Sequence, residues 1–274
     1  MGTAADLRPI GVFDSGVGGL TVLSELRRRL PGESTVYLGD NARTPYGPRP
    51  ATEVVAYTLQ CVRWLLEQDV KMLLLACNTA TSQALPQVRG SSPVPVLGVV
   101  RPGAVAAAAA TRAGHVGVIA TAGTVGSGAY PDAIREADPR LAVTQLACPS
   151  LVPLVEAGTL TGPVAEAEVD GYLDALFAAD AAIDTLLLGC THYPLLRPLI
   201  ERRAGEHVSV VDSAFTAALA VEDMLDALGV RAPSAGFVHH RVFTTGDPAA
   251  FAAVAQSIFG ASLPAVEQAV VDAD

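Results

Sequence analysis

The chain has 274 residues, half of them hydrophobic and 17% charged, with a formal net charge of −10. That content can bury a substantial core and excludes a disordered chain. The acidic balance argues against a protein built mainly to hold nucleic acid, which would present a basic stripe; the triplet Arg27–Arg29 fits the solvated face of a helix instead.

The N-terminus has no charged, apolar and cleavage-site sequence, so no secretory leader is expected. The alanine run Ala106–Ala110 is cut short by Thr111 and Arg112 and cannot span a bilayer. A cytoplasmic protein with no membrane partner is expected.

Strands and helices alternate along the chain, which predicts an α/β architecture with largely parallel sheets. Ile10–Phe13 forms the first strand and opens into the Gly-rich turn Asp14–Gly19. A helix follows with Val22, Leu23, Leu26 and Leu30 on one face and arginines on the other. Thr35–Leu38 leads into a long turn-rich loop, Gly39–Pro48, placed where a binding loop belongs. A helix from about Ala51 to Glu67 precedes the segment KMLLLACNTATS at Lys71–Ser82.

A second cycle resembles the first. Val94–Val99 is a strand, Pro102 begins a helix, and His115–Ile119 is a strand ending in Ala120–Thr124. Strand Leu141–Leu146 and two helices lead to DTLLLGCTHYPL at Asp184–Leu195. Val12 and Val118 lie 106 residues apart, and Cys77 and Cys190 lie 113 apart. Similar spacing of matching parts predicts two related, Rossmann-like α/β domains facing each other across a cleft. Residues 1–97 with 210–274 form the first and residues 98–209 the second. The strand Val208–Val211, the helix through Leu228, Phe237–Thr244 and the last helix are expected to complete the first domain.

The four cysteines, at 61, 77, 148 and 190, show no CxxC and no metal-ligand spacing, so no metal site is expected. Cys61 lies in a helical apolar pattern with Tyr57 and Leu65, which suits a buried small hydrophobe. Cys148, before Pro149, fits either the core or the border of a site. Cys77 and Cys190 share a context: a strand delivers each rigidly to a turn whose first amides lack internal partners. A thiol there feels the positive end of a helix and can be partly ionised near neutral pH. Two such thiols on opposite sides of one carbon can act as acid and base. Lys71 is the only lysine in the chain and sits at the wrong end of its strand for a Schiff base, so a pyridoxal phosphate enzyme is not expected.

The turn Asp14–Gly19 lacks the Lys-Ser/Thr of a P-loop and does not match the dinucleotide fingerprint. Its amides could still hold a carboxylate, and Asp14 could orient an ammonium group or a thiol. Asp40 and Arg43 could serve the site or pair locally. His192, two residues after Cys190, is placed to relay or stabilise a proton. His115, His207, His239 and His240 lie near strand starts and are expected to be structural. Glu156, amid Leu154-Val155-Glu156-Ala157-Gly158, could serve the site or an exposed helix position.

With these residues assembled, the sequence resembles the glutamate racemases of the aspartate/glutamate racemase superfamily. The resemblance rests on GVFDSGVGGL at Gly11–Leu20, NARTPYG at Asn41–Gly47, ACNTATS at Ala76–Ser82 and GCTHYPLL at Gly189–Leu196, in the family's order. It implies cofactor-independent interconversion of L- and D-glutamate, with D-glutamate supplied to peptidoglycan synthesis. By likeness Cys77 and Cys190 are the acid/base pair. Cys190 removes the Cα proton from the L-enantiomer and Cys77 returns it, with the roles exchanged in reverse. Asp14 and His192 tune the two thiols. Asp14, Ser15, Tyr46, Gly47, Asn78, Thr79, Thr191 and His192 match substrate-contacting positions, Tyr46 and Gly47 through the backbone. Thr121 belongs to the pocket wall, and Glu156 matches an acidic position near the site. Family members commonly form homodimers. One departure stands out: Ala120 precedes Thr121 where the family frequently has glycine. Two other readings compete. A one-thiol hydrolase or decarboxylase predicts one dispensable cysteine. An amino-acid binder predicts tight binding without exchange of the Cα proton.

Overall fold

The computed structural model describes residues 6–233, 237–259 and 264–272; residues 1–5, part of the stretch in which no leader was found, lie outside them. Among the described residues there are ten strands: β1 Ile10–Asp14, β2 Thr35–Gly39, β3 Met72–Leu75, β4 Val96–Gly98, β5 His115–Ala120, β6 Ala142–Ala147, β7 Thr185–Gly189, β8 Ser209–Asp212, β9 His240–Thr244 and β10 Val266–Gln268. They form a six-stranded sheet ordered β10-β9-β2-β1-β3-β4 and a four-stranded sheet ordered β6-β5-β7-β8. Every pairing is parallel. Parallel strands need crossovers, and the alternating helices supply them and cover the sheet faces.

The order β2-β1-β3-β4 in the first sheet repeats as β6-β5-β7-β8 in the second, so the internal repeat seen in the sequence is a repeat of topology. In each sheet the chain leaves one central strand and returns on its other side, which opens a crevice beyond the strands' carboxyl ends. The strands β1, β3 and β7 are largely apolar and buried along their whole length. They carry Asp14, Cys77 and Cys190 to that crevice.

One placement differs from expectation. The strand at 209–212, expected to complete the first unit, pairs with β7 in the second sheet. The helix Ser213–Leu228 after it lies against both Leu20–Arg29 and Val100–Ala110 and so joins the two halves. Its start is fixed by Asp212, whose Oδ1 accepts from the amides of Ala214 and Phe215 at 3.0 Å each. Gly229, at φ +67°, ends it. The helix expected from Pro102 begins at Val100, which leaves the proline in the first turn, where its missing N–H costs nothing.

At the opposite end of the first sheet, Lys71 is 3% exposed and its Nζ lies 2.6 Å from Glu33 Oε2. The ammonium also donates to the carbonyls of Asp6 (2.8 Å) and Val230 (2.9 Å), and Glu33 Oε1 accepts from the amide of Ala232 (2.7 Å). The only lysine is therefore a clamp between distant chain segments, far from the crevice. No helix among the described residues is long and apolar enough to cross a membrane.

Candidate active site

A cavity of about 180 Å³ lies where the two crevices face each other. It is lined by Ser15, Tyr46, Gly47, Cys77, Asn78, Thr79, Thr121, Cys190, Thr191 and His192, together with Thr44, Pro45, Pro48, Ala122, Pro149, Val152 and Pro153. Of the residues expected to touch substrate, only Asp14 does not line it. Asp14 is fully buried behind Thr191, whose hydroxyl donates to Oδ1 at 3.3 Å, while Gly16 N–H donates to Oδ2 at 2.9 Å. Burial raises the Asp14 carboxyl; the charge of His192 and the hydrogen bonds from Gly16, Gly19 and Thr191 oppose it.

Cys77 caps the helix Asn78–Ser91, and its sulfur accepts from the amide of Ala80 at 3.4 Å. It lies 3.4 Å from Ser15 Oγ. The helix terminus does not bring this thiol down, contrary to expectation. Burial, with the nearby Asp14 charge, pushes it up to about 12, outweighing the bonds from Ser15 and Ala80. Desolvation of a thiolate exceeds what one helix end returns.

Cys190 sits in a different frame. A 3₁₀ turn, Tyr193–Leu196, follows it before the helix Arg197–Ala204 starts, so its sulfur caps no α-helix. Its partner is His192, whose Nδ1 lies 3.7 Å from Cys190 Sγ and whose Nε2 lies 3.0 Å from Glu156 Oε1. Burial alone would push the imidazole down. Bonds and charge from Cys190 and Glu156 outweigh it and bring His192 up to about 10. His192 thus stands between Cys190 and Glu156, and negative charge on either favours its imidazolium form.

This packing depends on Gly18. A Cβ there would stand 2.4 Å from His192 Nδ1 and 2.5 Å from Thr191 Oγ1. The glycine lets the turn after β1 close on the segment after β7. Thr21 adds to that closure by donating to the Thr191 carbonyl at 3.0 Å.

Across the cavity, Thr79 Oγ1 lies 2.8 Å from Thr121 Oγ1 and 3.2 Å from Thr124 Oγ1. Thr121 caps the helix Ala122–Ser127 by accepting from the amide of Thr124. The loop after β2 joins this wall, since Gly47 C=O accepts from the amide of Gly123 at 2.8 Å. Tyr46 turns its hydroxyl away from the cavity to donate to Asp40. Asp40 also accepts from Arg43 at 2.7 Å and from Thr245 at 2.6 Å, which settles that pair as local. Asn78 presents Oδ1 without a partner while its amide nitrogen is held at 2.7 Å from Tyr130 OH.

Sequence reasoning missed Thr124 and Tyr130. Thr124 carried a signal, since it follows a strand-end threonine by three residues, the spacing of an N-cap to its N3 amide. Tyr130 carried none beyond an aromatic on a helix. Cys61 and Cys148 are both buried outside the cavity, Cys61 at 3.3 Å from an Arg43 guanidinium nitrogen. His115 pairs with Asp180 (2.8 Å) and His240 with Thr35 (2.9 Å), both structural. No group of three or more His, Cys, Asp or Glu among the described residues could hold a metal ion.

The sequence profile of the Asp/Glu/Hydantoin racemase family matches residues 10–221. The chain belongs to that family. Among curated relatives, the glutamate racemase of Shouchella clausii is 48% identical over 250 residues, covering 91% of this chain and 90% of that protein. The crystal structure of glutamate racemase isoform RacE1 from Bacillus anthracis superposes with a TM-score of 0.91 at 41% identity, covering 97% of each chain. Glutamate racemase from Francisella tularensis, solved with D-glutamate, superposes with a TM-score of 0.89 at 32% identity, covering 97% of this chain and 99% of its own. Membership in this racemase family makes the chain an isomerase and bears out the resemblance read from its four motifs.

Proposed function

We propose that this racemase interconverts L- and D-glutamate without a cofactor, through Cys77 and Cys190. The observation that carries the reading is that both sulfurs, delivered by equivalent strands of the two sheets, line one small cavity. The other polar groups suit an amino acid: hydroxyls of Ser15, Thr79, Thr121 and Thr191, and the unpartnered Oδ1 of Asn78.

One cysteine as thiolate removes the Cα proton while the other as thiol protonates the opposite face. Burial holds Cys77 as the thiol, so it is the ready donor. Negative charge on Cys190 is met by the His192 imidazolium, which Glu156 and burial fix in place. From L-glutamate, Cys190 removes the proton and Cys77 returns one to the opposite face. In the reverse direction, charge on Cys77 is received by the Ala80 amide and Ser15. The carbanion-like transition state needs preorganised donors in a site without bulk water, and the threonine cluster and helix termini supply them. Asp14 acts from behind, through Thr191. D-Glutamate made in this way would serve peptidoglycan synthesis in the cytoplasm, from an enzyme working as a homodimer.

The test is incubation of purified protein with D-glutamate in deuterated water, without pyridoxal phosphate, following chirality and Cα deuterium together. Inversion with deuterium incorporation supports the reading. Neither inversion nor exchange from folded, reduced protein removes it in favour of an amino-acid binder.

A further inference from the structure

We infer that Tyr130, with Ser213 beside it, is a positioning residue that aims the Asn78 carbonyl oxygen at the ammonium group of the substrate; this rests on the racemase reading above. Asn78 opens the helix that Cys77 caps and is 2% exposed. Its Nδ2 donates to Tyr130 OH at 2.7 Å and reaches Ser213 Oγ at 3.4 Å. With the nitrogen held there, Oδ1 has no protein partner although it is buried. A buried acceptor left open on a cavity wall is costly unless a ligand donor completes it. An amide free to rotate could present NH₂ or oxygen to the cavity. With its nitrogen donating to both hydroxyls, it presents oxygen, which accepts from an ammonium and offers nothing to a carboxylate.

Tyr130 is built for this task. It is fully buried, and burial holds its phenol protonated far into the alkaline range. Its ring stands against Gly189, where a Cβ would come within 2.8 Å of Tyr130 Cε2. One side chain thus touches the residue after Cys77 and the residue before Cys190. The ring packs in the second half and the hydroxyl reaches the first, so it sets the amide relative to both thiols.

Y130F keeps the ring and removes only the hydroxyl. The expected result is a rise of about tenfold in KM for both enantiomers, as for a lost hydrogen bond to a charged group. The turnover number should change much less, because an ammonium contact is made equally before and during proton transfer. N78A should raise KM at least as much, and adding Y130F to N78A should raise it no further. S213A should act in the same direction and more weakly. Melting temperatures of all four proteins separate these effects from loss of folding. An unchanged KM in Y130F overturns the inference, as do Y130F and N78A effects that multiply. Wild-type protein that racemises no glutamate would instead refute the functional reading itself.

Discussion

Replacing Gly18 by alanine tests how closely the two halves must meet. The backbone at Gly18 is not in the left-handed region, so alanine meets no conformational penalty there. The obstacle is the Cβ alone, at 2.4 Å from His192 Nδ1, 2.5 Å from His192 Cε1 and 2.5 Å from Thr191 Oγ1. Ordinary contact begins near 3.4 Å, so the segment after Cys190 must retreat by about 1 Å. A misplacement of that size costs roughly 10²-fold in rate when it moves catalytic groups. Overpacking costs about 1–3 kcal/mol of stability, which a domain of this size can absorb. The assay is kcat/KM in both directions with Cα–H exchange in deuterated water. Exchange from L-glutamate, which depends on Cys190, should fall more than exchange from D-glutamate. G171A is the control: it lies in the helix Pro163–Ala179 with nothing within 4 Å, and should leave activity intact and add about 0.5–1 kcal/mol. G18A with activity within about twofold of wild type would refute the reasoning.

Three further outcomes are expected. K71A strands Glu33 in the interior and should cost about 3–5 kcal/mol in chemical denaturation, whereas K71M with E33L should recover much of it. His192 is raised from 6.5 to about 10 by folding, so its contribution to stability is full below about pH 6.5 and is lost as pH climbs towards 10. H192N should flatten stability across that window, and E156Q should shift its upper edge downward, as measured by denaturation at a series of pH values. Cys77, pushed up to about 12, should resist iodoacetamide at pH 7–8 in the free enzyme, as followed by mass mapping of the alkylated cysteines.

Much of this site was legible because each half announces itself chemically. An aliphatic run ending in a cysteine and polar residues can only be a buried strand delivering a thiol to a turn, and β3 and β7 are such strands. What the sequence withheld were matters of partnership. Val208–Val211 shows a strand but not which sheet it joins, since any apolar edge would accept it. The ionisation of Cys77 could not be read from its helix terminus, because burial, which sequence does not measure, outweighs the terminus. Asp14, at the end of β1, matched a substrate-contacting position, and its burial behind Thr191, with Gly18 and Gly19 letting the chain fold over it, could not be read from the sequence. Tyr130 stayed hidden because its meaning lies in a contact with Asn78, 52 residues away.

The central claim is that two thiols work on opposite faces of one carbon, and single cysteine-to-serine variants in deuterated water test it most directly. C77S should exchange the Cα proton of L-glutamate through Cys190 and leave D-glutamate untouched. C190S should exchange D-glutamate and leave L-glutamate untouched, and neither should invert its substrate. Full racemisation by either variant, or exchange of both enantiomers by each, would contradict the two-base account.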